Sequence, residues 1–310
     1  MRLPPPVPPR SPRRVRYVPG QSFDVLADPG QSWVVQGDCR QVLAGIPDRS
    51  VDLVFADPPY FLQLQNELRR PDNTVVDAVD DHWDQFADYA EYDTFVRTWL
   101  TECRRVLKDT GTLWVIGTYH NVFRLGVAMQ DLGYWMLNSV VWEKANPTPQ
   151  FRGVRFCNAH EEMIWAAKSA RHARGYTFNY HHLKEQNGGK QMRSVWRFLI
   201  CNGDARKKGG DGKKLHSTEK PLALMERIVA GCTRPGDLVL DPFAGTSTTG
   251  EAALRLGRRY VLIEQQSLYI EYGVLPRLYQ AEMELAAADA RRRGGGGVRK
   301  ATGRAVKTAA

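Results

Sequence analysis

The sequence predicts an α/β protein built on a doubly wound, mostly parallel sheet. Apolar runs of strand length alternate with stretches of helical spacing. One such run, Val239-Leu240-Asp241, feeds a Gly/Ser/Thr loop, Pro242 to Gly250, and then the helical stretch Glu251 to Leu256. The next strand, Tyr260 to Ile263, ends in an acid, Glu264. In doubly wound sheets a loop at a strand's carboxyl end holds a cofactor, and an acid about 20 residues further on bonds a ribose hydroxyl. A chain of 310 residues is long enough for one large core and an inserted region.

The elements follow in order. Residues 1–16, rich in Pro and Arg, are expected to be an extended, disordered tail. Trp33 to Gly37 reads as the first core strand and Val51 to Phe55 as the second. Gln63 to Gln85 is polar and long for a loop, so a lid or DNA-contacting role is expected. Tyr92 to Leu107 places Phe95, Trp99, Cys103 and Val106 on one helical face. A strand at Leu113 to Gly117, a helix at 121–132 and strands at Met136 to Trp142 and Glu162 to Ala166 come next. Pro221 opens a helix to Ala230, Pro235-Gly236-Asp237 makes a turn before the cofactor strand, and residues 267–290 are helical. Residues 291–310 read as a second flexible basic tail.

Chemistry is concentrated at Asp57-Pro58-Pro59-Tyr60, directly after the second strand. Two prolines fix φ and remove two backbone donors, leaving the carboxylate and nearby carbonyls as acceptors. Such a cluster suits a flat base with an exocyclic amine, with Tyr60 as the stacking surface. The Pro242–Gly250 loop lacks the Gly-Lys-Ser/Thr of a phosphate loop and the third glycine of the dinucleotide fingerprint. An adenosine-bearing cofactor without phosphate fits best, namely S-adenosylmethionine.

These motifs resemble the amino-methyltransferases that modify adenine N6 or cytosine N4 in DNA, in the permuted beta order, with the catalytic motif ahead of the cofactor loop. The resemblance covers about Trp33 to Tyr272 and implies a Rossmann-like, seven-stranded methyltransferase sheet with an inserted target-recognition region. Gly37-Asp38-Cys39 is similar to the family's adenine-binding turn, and His216-Ser217-Thr218-Glu219-Lys220-Pro221 to its methionine-carboxylate motif. The resemblance therefore implies cofactor contacts from Asp38, Cys39, His216, Thr218, Lys220, Asp241, Phe243, Ala244, Gly245, Thr246, Ser247 and Glu264. Ser247 and Glu219 stand where the family more often has glycine and glutamine. Phe61, Arg69 to Asn73, Val79 to Asp84, Asn158 to Glu161 and Gln191 to Ser194 resemble the branch that methylates adenine in GANTC, whose members usually continue into a further C-terminal domain that is not expected here.

Expected DNA contacts are Arg69, Arg70, Trp83, Arg193, Ser194 and Trp196, the two tryptophans lying in polar surroundings; Trp99, Trp114, Trp142 and Trp165 read as core. Phe61 reads equally as a second wall for the base or as a core aromatic. The formal charge is +9, but the two tails hold twelve Lys/Arg and no acid, so the body between them is about −3. Within that body residues 171–214, the expected recognition region, hold eleven Lys/Arg against three acids. The domain is thus expected over 17–290. Five scattered cysteines without a CxxC pair read as reduced thiols and not as a metal site. No membrane segment or secretory signal is read, so the expected setting is the cytoplasm, at the nucleoid, with double-stranded DNA as partner. A second copy of the chain and a cognate restriction endonuclease are candidate partners. Competing readings are an N4-cytosine or RNA amino-methyltransferase, and a non-catalytic DNA-binding protein on the same fold.

Overall fold

The computed structural model describes residues 15–18, 31–62, 84–150, 153–201 and 219–294. The strands are β1 (Val15–Val18), β2 (Ser32–Gln36), β3 (Val51–Ala56), β4 (Leu107–Gly117), β5 (Trp135–Lys144), β6 (His160–Ala167), β7 (Val195–Phe198), β8 (Leu238–Asp241) and β9 (Arg259–Glu264). They form one sheet in the order β1-β2-β9-β8-β3-β4-β6-β5-β7. All neighbours are parallel except β6, which runs against both β4 and β5.

The helices are α1 (Cys39–Ala44), α2 (Tyr89–Val106), α3 (Val122–Asp131), α4 (Tyr180–Gln186), α5 (Leu222–Cys232), α6 (Thr248–Arg255), α7 (Ser267–Tyr269) and α8 (Leu275–Gly294), with a π-helical turn at Ile270–Val274 between the last two. Strand side chains alternate between faces. On one face Val35, Val54, Val115, Val261 and Ile263 pack with α1, α2 and α3. On the other, Val34, Leu53, Phe55, Val239 and Leu262 pack with α5, α6 and α8. Helices on both faces explain why the central strands read as continuous apolar runs.

The sheet has nine strands where seven were expected. β1 begins inside the stretch expected as tail and pairs with β2, with the Arg16 guanidinium over the Trp33 ring at 5.4 Å. β7 comes from the segment expected to be a recognition insert; it pairs with β5 through Val141–Val195 and Trp142–Trp196. At the other end α8 runs four residues past the expected boundary, to Gly294. Among the described residues no helix is long and apolar enough to cross a membrane, and no His/Cys/Asp/Glu cluster could hold a metal ion.

Candidate active site

Strands β2, β9, β8 and β3 are adjacent and parallel, so their carboxyl ends share one edge. Each delivers an acid there: Asp38 two residues after β2, Glu264 and Asp241 as the last residues of β9 and β8, and Asp57 just after β3. One cavity of about 370 Å³ is lined by all four, together with Pro58, Pro59, Tyr60, Lys220 and the loop Phe243 to Thr246. The amine motif and the cofactor loop, separated by some 180 residues of sequence, are two walls of one cleft.

The Asp57–Tyr60 motif is held from both sides. The Pro59 carbonyl accepts from the Tyr92 hydroxyl at 2.9 Å and from Asn121 Nδ2 at 3.3 Å. Beyond it, the Asp84 carboxylate accepts from the amides of Phe61 at 2.6 Å and Leu62 at 2.9 Å. That clamp holds Phe61 at φ 53°, a left-handed backbone that costs a side-chain-bearing residue on the order of 1 kcal/mol. Phe61 itself points into the core against Phe86, Tyr89 and Tyr92, so it packs as a core aromatic and not as a wall for a base.

Asp57 sits in a buried chain of alternating charges. Its Oδ1 accepts from the Tyr60 hydroxyl at 2.8 Å, and its Oδ2 lies 2.7 Å from the Lys220 ammonium, which also donates to the Tyr60 oxygen at 2.8 Å. Glu161, at the start of β6, is 3.6 Å from Lys220 and 3.3 Å from the Tyr60 hydroxyl, and Lys144 closes the chain at 2.9 Å from Glu161. Burial pushes the Asp57 carboxyl above the ordinary carboxylate range, with Lys220 pulling the other way. Burial works against charge on Lys220 too, but Asp57 and Glu161 together hold its pKa above that of an ordinary lysine. Glu161 feels the same burial, yet the two lysines keep it below its usual range.

The sequence reading did not place Glu161 or Lys144 in the site. The available signal was the direction of β6: an antiparallel strand starts at the edge where the parallel strands end. Lys220, expected beside a methionine carboxylate, lines the cleft with its ammonium against Asp57.

On the other wall, Asp38 caps α1 by accepting from the Arg40 amide at 2.9 Å and pairs with the Arg40 guanidinium at 2.5 Å. The hydrogen bonds from Arg40 hold its carboxyl below the usual range. Glu264 accepts from the amides of Gly245 and Gln266, both at 2.8 Å, and burial pushes it up to about 7. Asp241 accepts from the Phe243 amide at 3.0 Å and is likewise raised by burial to about 7. Cys39 lines the same cavity as a buried thiol. Gly245 and Ser247 both adopt left-handed backbone, φ 51° and 65°. Serine at 247 therefore occupies a conformation glycine takes without strain. Its hydroxyl is buried without a hydrogen-bond partner and closes against Gly250, where an added Cβ would lie 2.3 Å from the Ser247 oxygen. The unusual Glu219 pairs with buried Arg277, which also donates to Glu251 at 2.9 Å, so its charge has a structural partner.

Trp196, expected to contact DNA, is 6% exposed; its ring packs against Trp114 and its indole N–H donates to the Arg193 carbonyl at 2.6 Å. Once β7 joins the sheet, alternation turns Trp196 inward and leaves Arg193 and Ser194 exposed ahead of the strand. Arg69, Arg70, Trp83, His216 and Thr218 lie outside the described residues.

Comparison with known proteins bears on this cleft. A family model described as DNA methylase, of the N6/N4 group, matches residues 51–274. The type II methyltransferase M.HinfI of Haemophilus influenzae is 49% identical over 77% of this chain and 66% of its own length, so the match spans slightly less than two thirds of that relative. The type II methyltransferase M2.DpnII of Streptococcus pneumoniae is 37% identical over 77% of this chain and 86% of its own. Among solved structures, the M1.HpyAVI–SAM complex shares the fold with a TM-score of 0.57 at 22% identity, covering 79% of this chain and 98% of that one.

Proposed function

Since the chain belongs to the DNA methylase family, we propose that it is a site-specific DNA methyltransferase that moves a methyl group from S-adenosylmethionine to N6 of a flipped-out adenine, within GANTC. The cleft joining Asp57 and Tyr60 to the loop Phe243 to Thr246 supports methyl transfer to an exocyclic amine, and the segments of sequence that resemble the GANTC branch support adenine and that site.

The cleft fits the cofactor. Its volume suits a ligand of drug-like size. Glu264 and Asp38 offer carboxylates to ribose hydroxyls and an adenine amine, Cys39 lines the adenine turn, and Phe243 to Thr246 cover the methionine part. The bound cofactor supplies an activated methyl group on a sulfonium. The residues of the chain do the rest. An adenine amine is a weak nucleophile because its lone pair is delocalised into the ring. Asp57 and the Pro58 carbonyl accept its two N–H bonds and favour a more tetrahedral nitrogen, while Tyr60 stacks on the base. No strong base is needed, because the amine's proton leaves after transfer. Catalysis is then mainly positioning and electrostatics. Arg193 and Ser194, exposed ahead of β7, are assigned to DNA together with Arg69, Arg70 and Trp83.

The test is Asp57→Ala with labelled cofactor and unmethylated genomic DNA. Methyl transfer should fall by at least ~10²-fold, the scale of one preorganised polar group, with cofactor binding retained. Wild-type turnover would remove Asp57 from the chemistry. Mass spectrometry of DNA digested after treatment with the wild-type protein should show N6-methyladenine; N4-methylcytosine alone would move the enzyme to the other half of its family. Single-molecule sequencing then tests GANTC.

A further inference from the structure

The connection between β5 and β6, residues 145–159, leaves the sheet at the edge that carries the cleft. Its two ends are closed by the Lys144 amide donating to the Ala159 carbonyl at 2.8 Å. They are anchored to the catalytic chain by Lys144 and Glu161, the latter 3.3 Å from the Tyr60 hydroxyl. Further bonds hold its two flanks. Ala145 donates to the Phe198 carbonyl at 2.9 Å, Asn146 Oδ1 accepts from the Ile200 amide at 2.8 Å, and the Cys157 thiol lies 3.1 Å from the Thr148 carbonyl. Here Phe156 is 97% exposed and Val154 70%. Between them Arg155 donates to the hydroxyl of half-exposed Tyr119, at the carboxyl end of β4, at 3.0 Å. Two large apolar groups exposed side by side on one loop are the kind of surface that a binding partner covers.

The geometry points to duplex DNA as the partner and to Phe156 as the wedge that fills the space left in the base stack when the target adenine swings into the cleft. The wedge rests on the adenine-flipping reading above. Phe156 lies five residues from Glu161, so the chain places it within ~18 Å of the cleft's catalytic chain even at full extension. The connection and the cleft lie at the same edge of the sheet. The 145–159 connection contains two arginines and no acid, which suits a phosphate backbone better than another protein's apolar face. Apolar side chains inserted between base steps stabilise distorted duplexes, and a vacated stack offers such a gap.

The experiment compares wild type, Phe156→Ala and Phe156→Leu on two matched oligonucleotides: one with adenine at the target position, methylated as duplex and as single strand, and one with 2-aminopurine there, used in the duplex only as a fluorescent probe of flipping. The side chain is exposed, so neither variant should lose the fold. Phe156→Ala should cut duplex methylation by at least ~10-fold and diminish the 2-aminopurine signal, since the unstacking of the target base loses its compensation. Single-strand methylation should be unchanged, and Phe156→Leu should recover part of the duplex activity. Equal loss on both substrates, or no loss on either, overturns the wedge. A change in the protein's self-association, measured by light scattering, with flipping intact would instead make this face a contact between copies and also overturn it. If wild type methylates neither substrate, the methyltransferase reading fails and the wedge with it.

Discussion

Lys220 and Asp57 meet across the cleft at 2.7 Å, 163 residues apart in sequence, and Glu161 approaches the same ammonium at 3.6 Å. One cation thus faces two carboxylates, and only Asp57 is assigned to the substrate amine. Lys220 lowers and Glu161 raises the pH at which Asp57 gives up its proton.

Opposite pH shifts should result. Asp57 must be ionised to accept from the amine, so kcat/KM should fall on the acid side as Asp57 takes up a proton. Lys220→Met removes a cation that favours the carboxylate and should move that limb to higher pH. Glu161→Gln removes a competing negative charge and should move it to lower pH. Shifts in the same direction, read from pH–rate profiles, would show that the chain of charges is only structural.

Glu264, proposed to hold the cofactor's ribose, should make cofactor affinity pH-dependent. Its folded value of about 7 lies above the ~4.3 of an unfolded glutamate, so the ligand-free fold holds this proton more tightly than the unfolded chain. The stability from that proton is complete below about pH 4 and lost as pH rises through about 7. Ribose hydroxyls donating to the carboxylate favour its charged form, so binding should release a proton and tighten between about pH 6 and 8. Calorimetry in two buffers of different ionisation heat measures the release. Glu264→Gln should weaken binding about 10- to 100-fold, the range for hydrogen bonds to a charged group, and flatten the pH dependence to what Asp241 contributes.

Ser247→Gly should stabilise the ligand-free protein. Glycine accepts φ 65° without a Cβ penalty and removes a buried, unpartnered hydroxyl, offset by the greater entropy of glycine in the unfolded chain. A net gain of about 1 kcal/mol, or roughly 2–4 °C in a thermal melt, is expected. A lower Tm would mean that the hydroxyl has a partner in solution.

Trp196→Ala should act on stability and not on recognition. Losing a buried tryptophan that packs on Trp114 should cost about 3–5 kcal/mol in chemical denaturation. The methylated sequence should stay the same at a temperature where the variant is folded. A change in site preference with unchanged stability would return Trp196 to the DNA surface.

By itself the sequence determined what short-range patterns can carry. The apolar runs ending in Asp57, Asp241 and Glu264 located β3, β8 and β9 within a residue or two, because alternation and turn chemistry act between near neighbours. The ends of those runs likewise put Asp57, Asp241 and Glu264, three of the cleft's four acids, on the page before any fold was known. Tertiary structure decided the rest. Glu161 reaches Tyr60 across 101 residues and Lys220 reaches it across 160. The partner of a buried charge is set by strand order and direction, and β6 brings Glu161 to the site only because it runs against its neighbours. The same holds for Trp196: its polar sequence neighbours suggested a surface, but pairing of β7 with β5 fixed which face each side chain takes, and a one-residue alternation turned the indole into the core.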